Sequence, residues 1–327
     1  MNACVLGSGA WGTALALLLC RTGHRTLLWN RDPDKAARMQ RRHLNPRLPG
    51  ISLPRELEVT ASLDVLGETE LAVFAVPSYA VRETARSAKP FLRPGTLLVS
   101  AAKGVEPETC LRMSQVIREE LGEGFPVIAL SGPSHAEEVA LSMPTGCVAA
   151  GEETAARRVQ GAFMSRDFRV YTNPDDAGVE LCGAVKNVIA LGCGVADGLG
   201  YGDNSRALLI TRAVREAGEL VIRAGGLART CAGLAGVGDL IVTCTSRHSR
   251  NRKVGLLLGQ GLDVQEALES VGAVVEGYYA AASIRTLSER LGVNMPICGC
   301  VYDMLYASLP AKACLERLMG REARSEF

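Results

Sequence analysis

The sequence has few of the residues from which metal centres and nucleophilic catalytic sites are built. Only four of its 327 residues are histidines, and none is spaced as a metal ligand from another histidine, a cysteine or an acidic cluster. No Ser/His/Asp or Cys/His order stands out above chance, so nucleophilic catalysis has no support. We therefore predict that the protein holds no metal.

Cysteine pairs typical of zinc or disulfide frameworks are also lacking. The eleven cysteines contain no CxxC pair, and the nearest two in the chain, Cys298 and Cys300, are interpreted as small packed hydrophobic residues. An odd number of scattered cysteines in a chain of this length indicates reduced thiols. The sequence therefore predicts a cytoplasmic protein.

An excess of charge of one sign and long apolar runs are missing as well. Lys and Arg number 36 against 35 Asp and Glu, which gives no general reason to expect a nucleic-acid or anionic-membrane partner. The apolar run at 14–20 lacks the basic flank of an export signal. No stretch reaches the ~20 uninterrupted apolar residues of a membrane span. We predict no nucleic-acid partner and no stable membrane anchor.

The length and the pattern of apolar segments predict two domains. A chain of 327 residues exceeds the size of about 250 at which one hydrophobic core stops growing. Up to residue 172, short apolar runs alternate with helical patterns, which favours a mostly parallel, doubly wound α/β sheet of the Rossmann type. Candidate strands are the segments 3–6, 26–29, 71–76, 96–100, 127–130 and 168–172, and residues 109–121 form one of the helical patterns between them.

After residue 172 the strand patterns nearly vanish, so residues 1–174 are predicted to be the dinucleotide-binding domain and residues 175–327 an all-helical domain. A long helix is expected to start with Asn173 as its N-cap and Pro174 in its first turn. Asp175 and Asp176 would complement the positive end of its dipole. Further helices are predicted at 205–224, 263–271, 278–291 and 301–305.

A glycine motif directly follows the first predicted strand. Residues 7–12 read Gly-Ser-Gly-Ala-Trp-Gly, and a helical pattern continues through residue 19. Glycines at this spacing permit a tight turn and the close approach of a pyrophosphate to the helix N-terminus. The context of strand, turn and helix favours a dinucleotide cofactor at Gly7, Gly9 and Gly12 over a merely structural turn.

The end of the second predicted strand bears on the choice between NAD and NADP. An NAD-selective site usually carries an acid there for the ribose 2′-hydroxyl, whereas this chain has Asn30 and Arg31 before Asp32. An arginine can pair with the 2′-phosphate of NADP, so NADP is predicted to be accepted beside NAD. The alternative is that Arg31 is an ordinary surface charge.

Two lysines are candidates for the proton transfer that accompanies hydride transfer to a carbonyl. Lys186 lies inside the predicted long helix, where Gly183, Ala190 and Gly194 share its face and are expected to leave room for a ligand. Lys103 follows a predicted strand at the edge where α/β sheets bind ligands. The alternatives are an exposed helix lysine and a solvated loop lysine.

A cationic segment and a glycine-flanked acid complete the candidate residues. Residues 247–253 carry five potentially cationic side chains together with Ser249 and Asn251, a combination suited to a phosphate. A solvated basic face and a small RNA patch are the alternatives, and the absence of interleaved aromatics argues against RNA. Asp239 follows a glycine turn and could accept a hydrogen bond from a substrate hydroxyl, or cap a helix.

Taken together, these segments closely resemble the bacterial-type NAD(P)-dependent glycerol-3-phosphate dehydrogenase family over essentially the whole chain. The most specific segments are GSGAWGTA at 7–14, SGPS at 131–134, GAVKN at 183–187, GDL at 238–240, SRNR at 249–252 and VVEG at 274–277. The resemblance implies a Rossmann domain, a helical domain of the phosphogluconate-dehydrogenase-like type, and a substrate held between them. It also implies a homodimer and a supply of glycerol phosphate for phospholipid synthesis.

The resemblance further implies the roles of individual residues. Lys186 would donate and accept the proton. Glycerol phosphate would be held by Lys186 together with Lys103, Gly132, Ser134, Asp239, Ser249, Arg250 and Asn251. The cofactor would contact the glycine motif and Ala10, Trp11, Arg31, Lys103, Ala136, Arg250, Val274 and Glu276. The family commonly has serine in place of Ala10, so one side-chain contact to the pyrophosphate is expected to be missing.

Two other functions share part of these features. A dehydrogenase or reductase for another small hydroxy acid would keep the Rossmann half and a catalytic lysine, but it would not need the phosphate cluster at 249–253. A catalytically silent nucleotide sensor would keep the glycine motif but could lose Lys186 and Asp239. Interconversion of dihydroxyacetone phosphate and sn-glycerol 3-phosphate with NAD(P)H accounts for more of the residues than either alternative.

Overall fold

The chain divides into two compact units. In the computed structural model, which describes residues 1–323 and 325–326, unit 1 consists of Met1–Glu106 and Leu111–Glu180, and unit 2 of Pro107–Cys110 and residues 181–327. Unit 1 contains a sheet with helices on both faces, whereas unit 2 is built from helices. The predicted combination of a Rossmann-type sheet and a helical domain is confirmed.

Unit 1 is built on an eight-stranded sheet. Its strands are β1 (Asn2–Leu6), β2 (Arg25–Trp29), β3 (Glu58–Thr60), β4 (Leu71–Phe74), β5 (Leu97–Ser100), β6 (Val127–Ser131), β7 (Thr145–Ala150) and β8 (Phe168–Asn173). They lie in the order β3-β2-β1-β4-β5-β6-β7-β8. The β6–β7 pair is antiparallel, and the other neighbouring pairs are parallel. The order reverses between β1 and β4, where doubly wound sheets bind ligands at the carboxyl ends of their strands.

Two of these strands were not predicted. β3 has only three residues, too few for a recognisable alternation of apolar side chains. β7 reads Thr-Gly-Cys-Val-Ala-Ala, and glycine and alanine are depleted in strands. Both strands are specified by pairing with a neighbour, β3 with β2 and β7 with β6 and β8.

Helices cover both faces of the sheet in unit 1. They are α1 (Ala10–Arg21), α2 (Pro33–Arg42), α3 (Val81–Ala88), α4 (Met113–Leu121), α5 (Ala136–Ala140) and α6 (Glu153–Phe163). Alternate residues of the central strands enter opposite cores: Val5 lies in the core that includes α1 and α6, and Leu6 in the core that includes α3 and α4. Strands buried on both faces read as continuous apolar runs, which is why most of them could be recognised in the sequence.

The first residues predicted for α4 are not helical. Residues 109–112 precede the helix, Cys110 has a φ of 61°, and Arg112 forms an isolated bridge with Val105. The positive φ at Cys110 interrupts the helical path, so α4 begins only at Met113.

Unit 2 contains most of the helix α7 (Asp176–Gly198) and the helices α8 (Asp203–Arg223), α9 (Asp239–Thr245), α10 (Arg250–Gly259), α11 (Val264–Val271), α12 (Glu276–Leu291), α13 (Pro296–Tyr306) and α14 (Ala311–Met319). A 3-10 turn at Ala228–Ala232 and a π-helical turn at Leu234–Gly238 lead into α9. The five helices predicted after residue 173 are present with adjusted ends. The sequence patterns missed α9, α10 and α14.

The start of α7 differs from the expectation. Asn173 is the last residue of β8, and its side chain accepts the backbone amide of Asp175 at 2.9 Å. The Asp175 carboxylate in turn accepts the amide of Gly178 at 2.8 Å in the first turn of the helix. The assignment of Asn173 as N-cap was therefore wrong by two residues, because the strand extends through it.

Within residues 1–323 and 325–326, α7 is the helix that is long and apolar enough to cross a membrane by length and composition, and 89% of its apolar window is buried. It also carries Glu180 and Lys186, both buried. A core helix of a folded domain meets the same criteria.

Glycines bring α7 and α10 into backbone contact. A Cβ added to Gly194 would lie 2.1 Å from the carbonyl oxygen of Arg252, and one added to Gly255 would lie 2.0 Å from that of Leu191. Gly198 and Gly259 approach each other in the same way one turn later. The expectation that Gly194 leaves room for a ligand is therefore wrong, because the backbone of α10 occupies that space.

We expect replacement of Gly194 with alanine to lower the free energy of unfolding by about 1–3 kcal/mol, because the added methyl overlaps the α10 backbone. Gly218→Ala is the matched control, since among the described residues nothing beyond its own helix lies within 4 Å of an added Cβ. That control should raise stability by about 0.5–1 kcal/mol through helix propensity. Urea unfolding followed by circular dichroism measures both, and a stabilised Gly194→Ala variant would contradict the packing.

Candidate functional site

The three glycines of the motif at 7–12 have different structural tasks. Gly7 has a φ of 116°, and a Cβ there would lie 2.7 Å from the carbonyl oxygen of Ala75. A Cβ on Gly12 would lie 1.9 Å from the carbonyl oxygen of Gly7. Gly9 has a φ of −66° as the N-cap of α1, and within the described residues nothing lies within 4 Å of its Cβ position. Gly7 and Gly12 thus serve the turn and its packing, and Gly9 keeps open space in front of the helix.

The N-terminus of α1 offers donors for an anion. Gly9 supplies no side-chain cap to α1, and Ala10 is the first helical residue, so the amides of the first turn are available together with the helix dipole. The indole Nε1 of Trp11 is buried and has no hydrogen-bond partner in the described part of the chain. Buried donors are normally satisfied. The turn therefore fits the pyrophosphate of a dinucleotide.

The end of β2 is tied to the glycine turn. Asn30 donates from Nδ2 to the hydroxyl of Ser8 at 2.7 Å, and its Oδ1 accepts the amide of Asp32. Asp32 caps α2 by accepting the amide of Lys35 and forms an ion pair with the Lys35 amine at 2.9 Å. Asp32 is engaged in this way, whereas Arg31, two residues after the end of β2, is exposed.

The ends of β5 and β6 bring three predicted residues together. Lys103 donates from Nζ to the carbonyl oxygen of Gly132 at 3.0 Å, and the Ser134 hydroxyl donates to the same oxygen at 2.9 Å. Gly132 has a φ of 149°, and a Cβ there would lie 2.9 Å from Cα of Cys147. Ala136 follows as the first residue of α5. Lys103 is thus held at the carboxyl edge of the sheet and is not a freely solvated loop residue.

Two serines at the same edge were missed by the sequence analysis. Ser100 ends β5 and Ser131 ends β6. Their hydroxyls are buried and, within the described residues, have no hydrogen-bond partner. A polar residue that closes an otherwise apolar strand was the available signal. Such hydroxyls are candidates to bind a ligand at the strand ends.

Lys186 is the central polar group of unit 2. Its side chain lies in the middle of α7 and is 8% exposed. Nζ lies 2.6 Å from Oδ1 of Asp239 and 2.9 Å from the hydroxyl of Thr243. The alternative of an exposed helix lysine is therefore wrong, and Asp239, as the first residue of α9, is an ion-pair partner.

Thr243 was not identified from the sequence, yet it completes this cluster. It lies one helical turn after Asp239 on α9, and its hydroxyl donates to the Asp239 carbonyl oxygen at 2.6 Å. It is thereby oriented to accept from the Lys186 amine. The spacing of Asp239 and Thr243, four residues apart, places both on one face of α9, but only the tertiary contact with α7 shows what that face serves.

A side-chain amide network joins three helices next to Lys186. Asn251 on α10 donates from Nδ2 to Oδ1 of Asn187 on α7 at 2.9 Å. Its own Oδ1 accepts the amide of Gly277 on α12 at 2.9 Å. Gly277 follows Glu276, which opens α12 after Val274 and the buried Val275. The predicted residue Asn251 therefore contacts the helix that carries Lys186, and Glu276 is the chain neighbour of Gly277 in the same network.

The cationic segment at 247–253 is not a simple loop, and its charges have different surroundings. Ser249 caps α10, its hydroxyl accepting the amide of Arg252 at 3.2 Å. Arg250 is the first residue of α10 and is exposed. Arg252 pairs with Asp197 on α7 at 2.6 Å, and Arg206 pairs with the same carboxylate. Arg252 therefore stabilises the helix packing, whereas Ser249 and Arg250 stand at a helix N-terminus suited to an anion.

Among the described residues, which include all eleven cysteines, each cysteine is a free thiol. In the same part of the chain, no group of three or more His, Cys, Asp and Glu residues could hold a metal ion.

Comparison with known proteins agrees with both halves of this arrangement. The family profile described as NAD-dependent glycerol-3-phosphate dehydrogenase N-terminus matches residues 2–157, and that described as its C-terminus matches residues 175–316. Glycerol-3-phosphate dehydrogenase [NAD(P)+] of Moorella thermoacetica is 50% identical over 98% of this chain and 96% of its own length. The chain belongs to the NAD-dependent glycerol-3-phosphate dehydrogenase family.

Further members of the family are similarly close. The enzyme of the same name from Desulfitobacterium hafniense is 48% identical over 99% of this chain and 92% of its own length. A crystal structure of glycerol-3-phosphate dehydrogenase from Coxiella burnetii superposes with a TM-score of 0.94 at 37% identity, covering 98% of this chain and 99% of that one. The resemblance recognised in the sequence motifs is confirmed.

The glycine turn generates a prediction about cofactor binding. Gly9→Ala should leave the free energy of unfolding within about 0.5 kcal/mol of wild type, because its φ of −66° and open surroundings accept a methyl. The same methyl stands where a pyrophosphate would approach, so we expect the Kd for NADH to rise by about tenfold or more. Fluorescence titration with NADH measures it.

Gly12→Ala is the contrasting variant, since its methyl would overlap the carbonyl oxygen of Gly7. It should lose stability as well as cofactor affinity. A Gly9→Ala protein that binds NADH as tightly as wild type would show that the dinucleotide does not lie against this turn.

Proposed function

We propose that this protein interconverts dihydroxyacetone phosphate and sn-glycerol 3-phosphate with NAD(P)H. The observation that carries the proposal is the buried amine of Lys186, held 2.6 Å from Asp239 and 2.9 Å from Thr243, in a chain that belongs to the glycerol-3-phosphate dehydrogenase family. Relatives about half identical to it bear the name glycerol-3-phosphate dehydrogenase [NAD(P)+].

Lys186 is the proton donor and acceptor of the reaction. Reduction of the ketone places negative charge on the C2 oxygen, which needs a nearby cation and a proton. NAD(P)H supplies the hydride when it is bound. Asp239 orients the Lys186 amine through a 2.6 Å contact and favours its charged form before proton transfer. In the oxidative direction the neutral amine accepts the proton of the C2 hydroxyl.

The phosphate of the substrate is assigned to the start of α10. The helix N-terminus provides amides and a favourable dipole, the exposed Arg250 provides a guanidinium, and the Ser249 hydroxyl retains its own proton as a donor while it caps the helix. Asn251 uses one of its two N–H groups in the contact with Asn187 and keeps the other for a ligand. Family resemblance adds Lys103, Gly132, Ser134 and Asp239 to the substrate residues.

Residues 1–174 form the cofactor domain of this proposal and residues 175–327 the catalytic domain. The pyrophosphate lies at Gly7, Gly9 and Gly12, where the backbone amides replace the side-chain contact that Ala10 lacks. Arg31 permits NADP as well as NAD, because Asp32 is engaged in capping α2. The further cofactor contacts assigned by family resemblance are Trp11, Lys103, Ala136, Arg250, Val274 and Glu276.

The cellular setting follows from the same family membership. We place the enzyme in the cytoplasm as a homodimer, where reduction of dihydroxyacetone phosphate supplies glycerol 3-phosphate for phospholipid synthesis. The near balance of 36 basic and 35 acidic residues supports small-molecule chemistry without a nucleic-acid partner.

The function is tested by following NADPH or NADH oxidation with dihydroxyacetone phosphate as substrate. Lys186→Ala should lower kcat by about 10²- to 10⁴-fold, because proton transfer to the developing alkoxide is lost. The Kd for NADPH should stay within about threefold of wild type, since the lysine belongs to the substrate side of the reaction.

Lys312→Ala is the matched control, because Lys312 is exposed on α14 and its removal should change neither constant. A Lys186→Ala enzyme with wild-type kcat would reject the assignment of the proton donor. A wild-type protein that binds NADPH but reduces no dihydroxyacetone phosphate would reject the function itself.

Arg250→Ala should raise the KM for dihydroxyacetone phosphate by about tenfold or more, since a charge-assisted hydrogen bond contributes about 1.5–3 kcal/mol. With dihydroxyacetone, which lacks the phosphate, the variant and the wild type should react at similar rates when NAD(P)H is saturating, so that loss of the cofactor contact assigned to Arg250 does not limit the rate. Initial-rate measurements with both substrates decide between these outcomes.

Arg252→Ala is the control for general loss of positive charge. Its guanidinium is paired with Asp197, so its removal should lower thermal stability. The preference for the phosphorylated substrate should stay unchanged. Equal effects of Arg250→Ala on the two substrates would place the phosphate elsewhere.

A further inference from the structure

A cavity of about 390 Å³ in unit 2 has a cysteine in its wall. It is lined by residues of α12, α13 and α14 and of the segments that follow α12 and α14. Three arginines line it, Arg285, Arg317 and Arg321, together with Cys300. None of these residues has a role in the proposed dehydrogenase reaction.

Cys300 on α13 faces a second thiol, that of Cys314 on α14. The Cys314 thiol donates to the carbonyl oxygen of Cys300 at 3.4 Å, and the Cys300 thiol lies 3.9 Å from the carbonyl oxygen of Cys314. Such reciprocal contacts place the two cysteines side by side on neighbouring helices, an arrangement from which a disulfide can form with backbone adjustment.

The two thiols differ in their chemistry. The neighbouring Cys314 thiol lowers the pKa of Cys300 and outweighs the opposing effect of burial; Arg317 lowers it further, while Asp303 and Glu216 act against this. The pKa of Cys314 is raised, first by the neighbouring Cys300 thiol and then by burial. Cys300 is therefore the more acidic thiol of the pair, and Cys314 is the thiol that holds its proton more firmly.

We propose that Cys300 and Cys314 form a reactive dithiol that is oxidised to an intrachain disulfide by low-molecular-weight disulfides entering the cavity. Cys300 sulfur attacks one sulfur of the reagent, forms a mixed disulfide and releases one thiolate. Cys314, losing its proton to solvent, attacks the Cys300 sulfur, and the second reagent thiolate leaves. Two protein thiols and one reagent disulfide thus become one protein disulfide and two reagent thiols.

The surroundings distinguish this pair from the other cysteines. Cys298, two residues earlier on α13, is buried, and burial raises its pKa well above the usual value. Cys20 is more exposed than Cys300, but burial raises its pKa as well. Cys182 and Cys231 also lie close, with 3.4 Å between their sulfur atoms, and they are as buried as Cys300 and Cys314, but neither of them lines the cavity. Cys300 combines a lowered pKa with a place in a cavity wall.

The order of alkylation tests the reactivity of Cys300. The full-length protein is pulsed with iodoacetamide at pH 7, and the labelled cysteines are identified by peptide mass spectrometry. Exposure alone predicts that Cys20 reacts first. A thiolate at Cys300 predicts that it reacts at least about tenfold faster than Cys20, because the thiolate is the nucleophile. Labelling of Cys20 ahead of Cys300 would overturn the proposal.

The disulfide itself is tested with hydroxyethyl disulfide as the reagent. The wild-type protein should lose two hydrogen atoms and yield a linked pair of peptides containing Cys300 and Cys314, and dithiothreitol should reverse the change. Cys314→Ser should stop at the mixed disulfide on Cys300, whereas Cys300→Ser should form neither product. Cys298→Ser is the matched control on the same helix and should behave as wild type.

Circular dichroism confirms that each variant is folded before oxidation. Where a serine variant is not folded, alanine replaces serine at that position. A disulfide that forms between Cys182 and Cys231 and leaves Cys300 free would overturn the proposal. So would a stable mixed disulfide on Cys300 in the wild-type protein, since it would show that Cys314 cannot reach the Cys300 sulfur.

Discussion

The contact between the Lys186 amine and the Asp239 carboxylate is the interaction on which the functional half of the molecule depends. An ammonium that is 8% exposed cannot stay charged inside a helical core without a partner, and loss of one member of a buried pair costs about 3–5 kcal/mol. Asp239 and Thr243 supply that partner from one face of α9. The pair therefore holds α7 against α9 and keeps the proposed proton donor in place.

The packing of α7 against α10 also depends on close contacts, in this case between backbone atoms. Glycines 194, 198, 255 and 259 let the two helices approach so closely that a methyl group would overlap a carbonyl oxygen. This approach brings Asn251 within 2.9 Å of Asn187, the residue after Lys186. It also places Arg252 beside Asp197. The side chains proposed to hold the phosphate are thus positioned by the contacts of these four glycines, which themselves bind no ligand.

The glycine motif shows which features can be predicted from a local sequence pattern. The spacing of Gly7, Gly9 and Gly12 was sufficient to predict a cofactor turn, because each glycine meets a local requirement: a positive φ, an open approach or close packing. Thr243 could not be found from the sequence, since a lone hydroxyl carries no periodic or spacing signal. For Ser100 and Ser131 the available signal was a polar residue at the end of an apolar strand. The helix α10 was also not predicted, although Ser249 before a helical stretch is an N-cap pattern.

The sequence by itself determined the α/β and helical halves, the cofactor turn and the family, because apolar periodicity and short motifs are local properties of the chain. Tertiary structure alone decided that Lys186 is buried against Asp239, that Arg252 is engaged by Asp197, and that Cys300 faces Cys314 across two helices. Residues 14 to 55 positions apart meet only through packing. A side chain's charge and reactivity depend on its spatial neighbours, and those neighbours cannot be read from its position in the sequence.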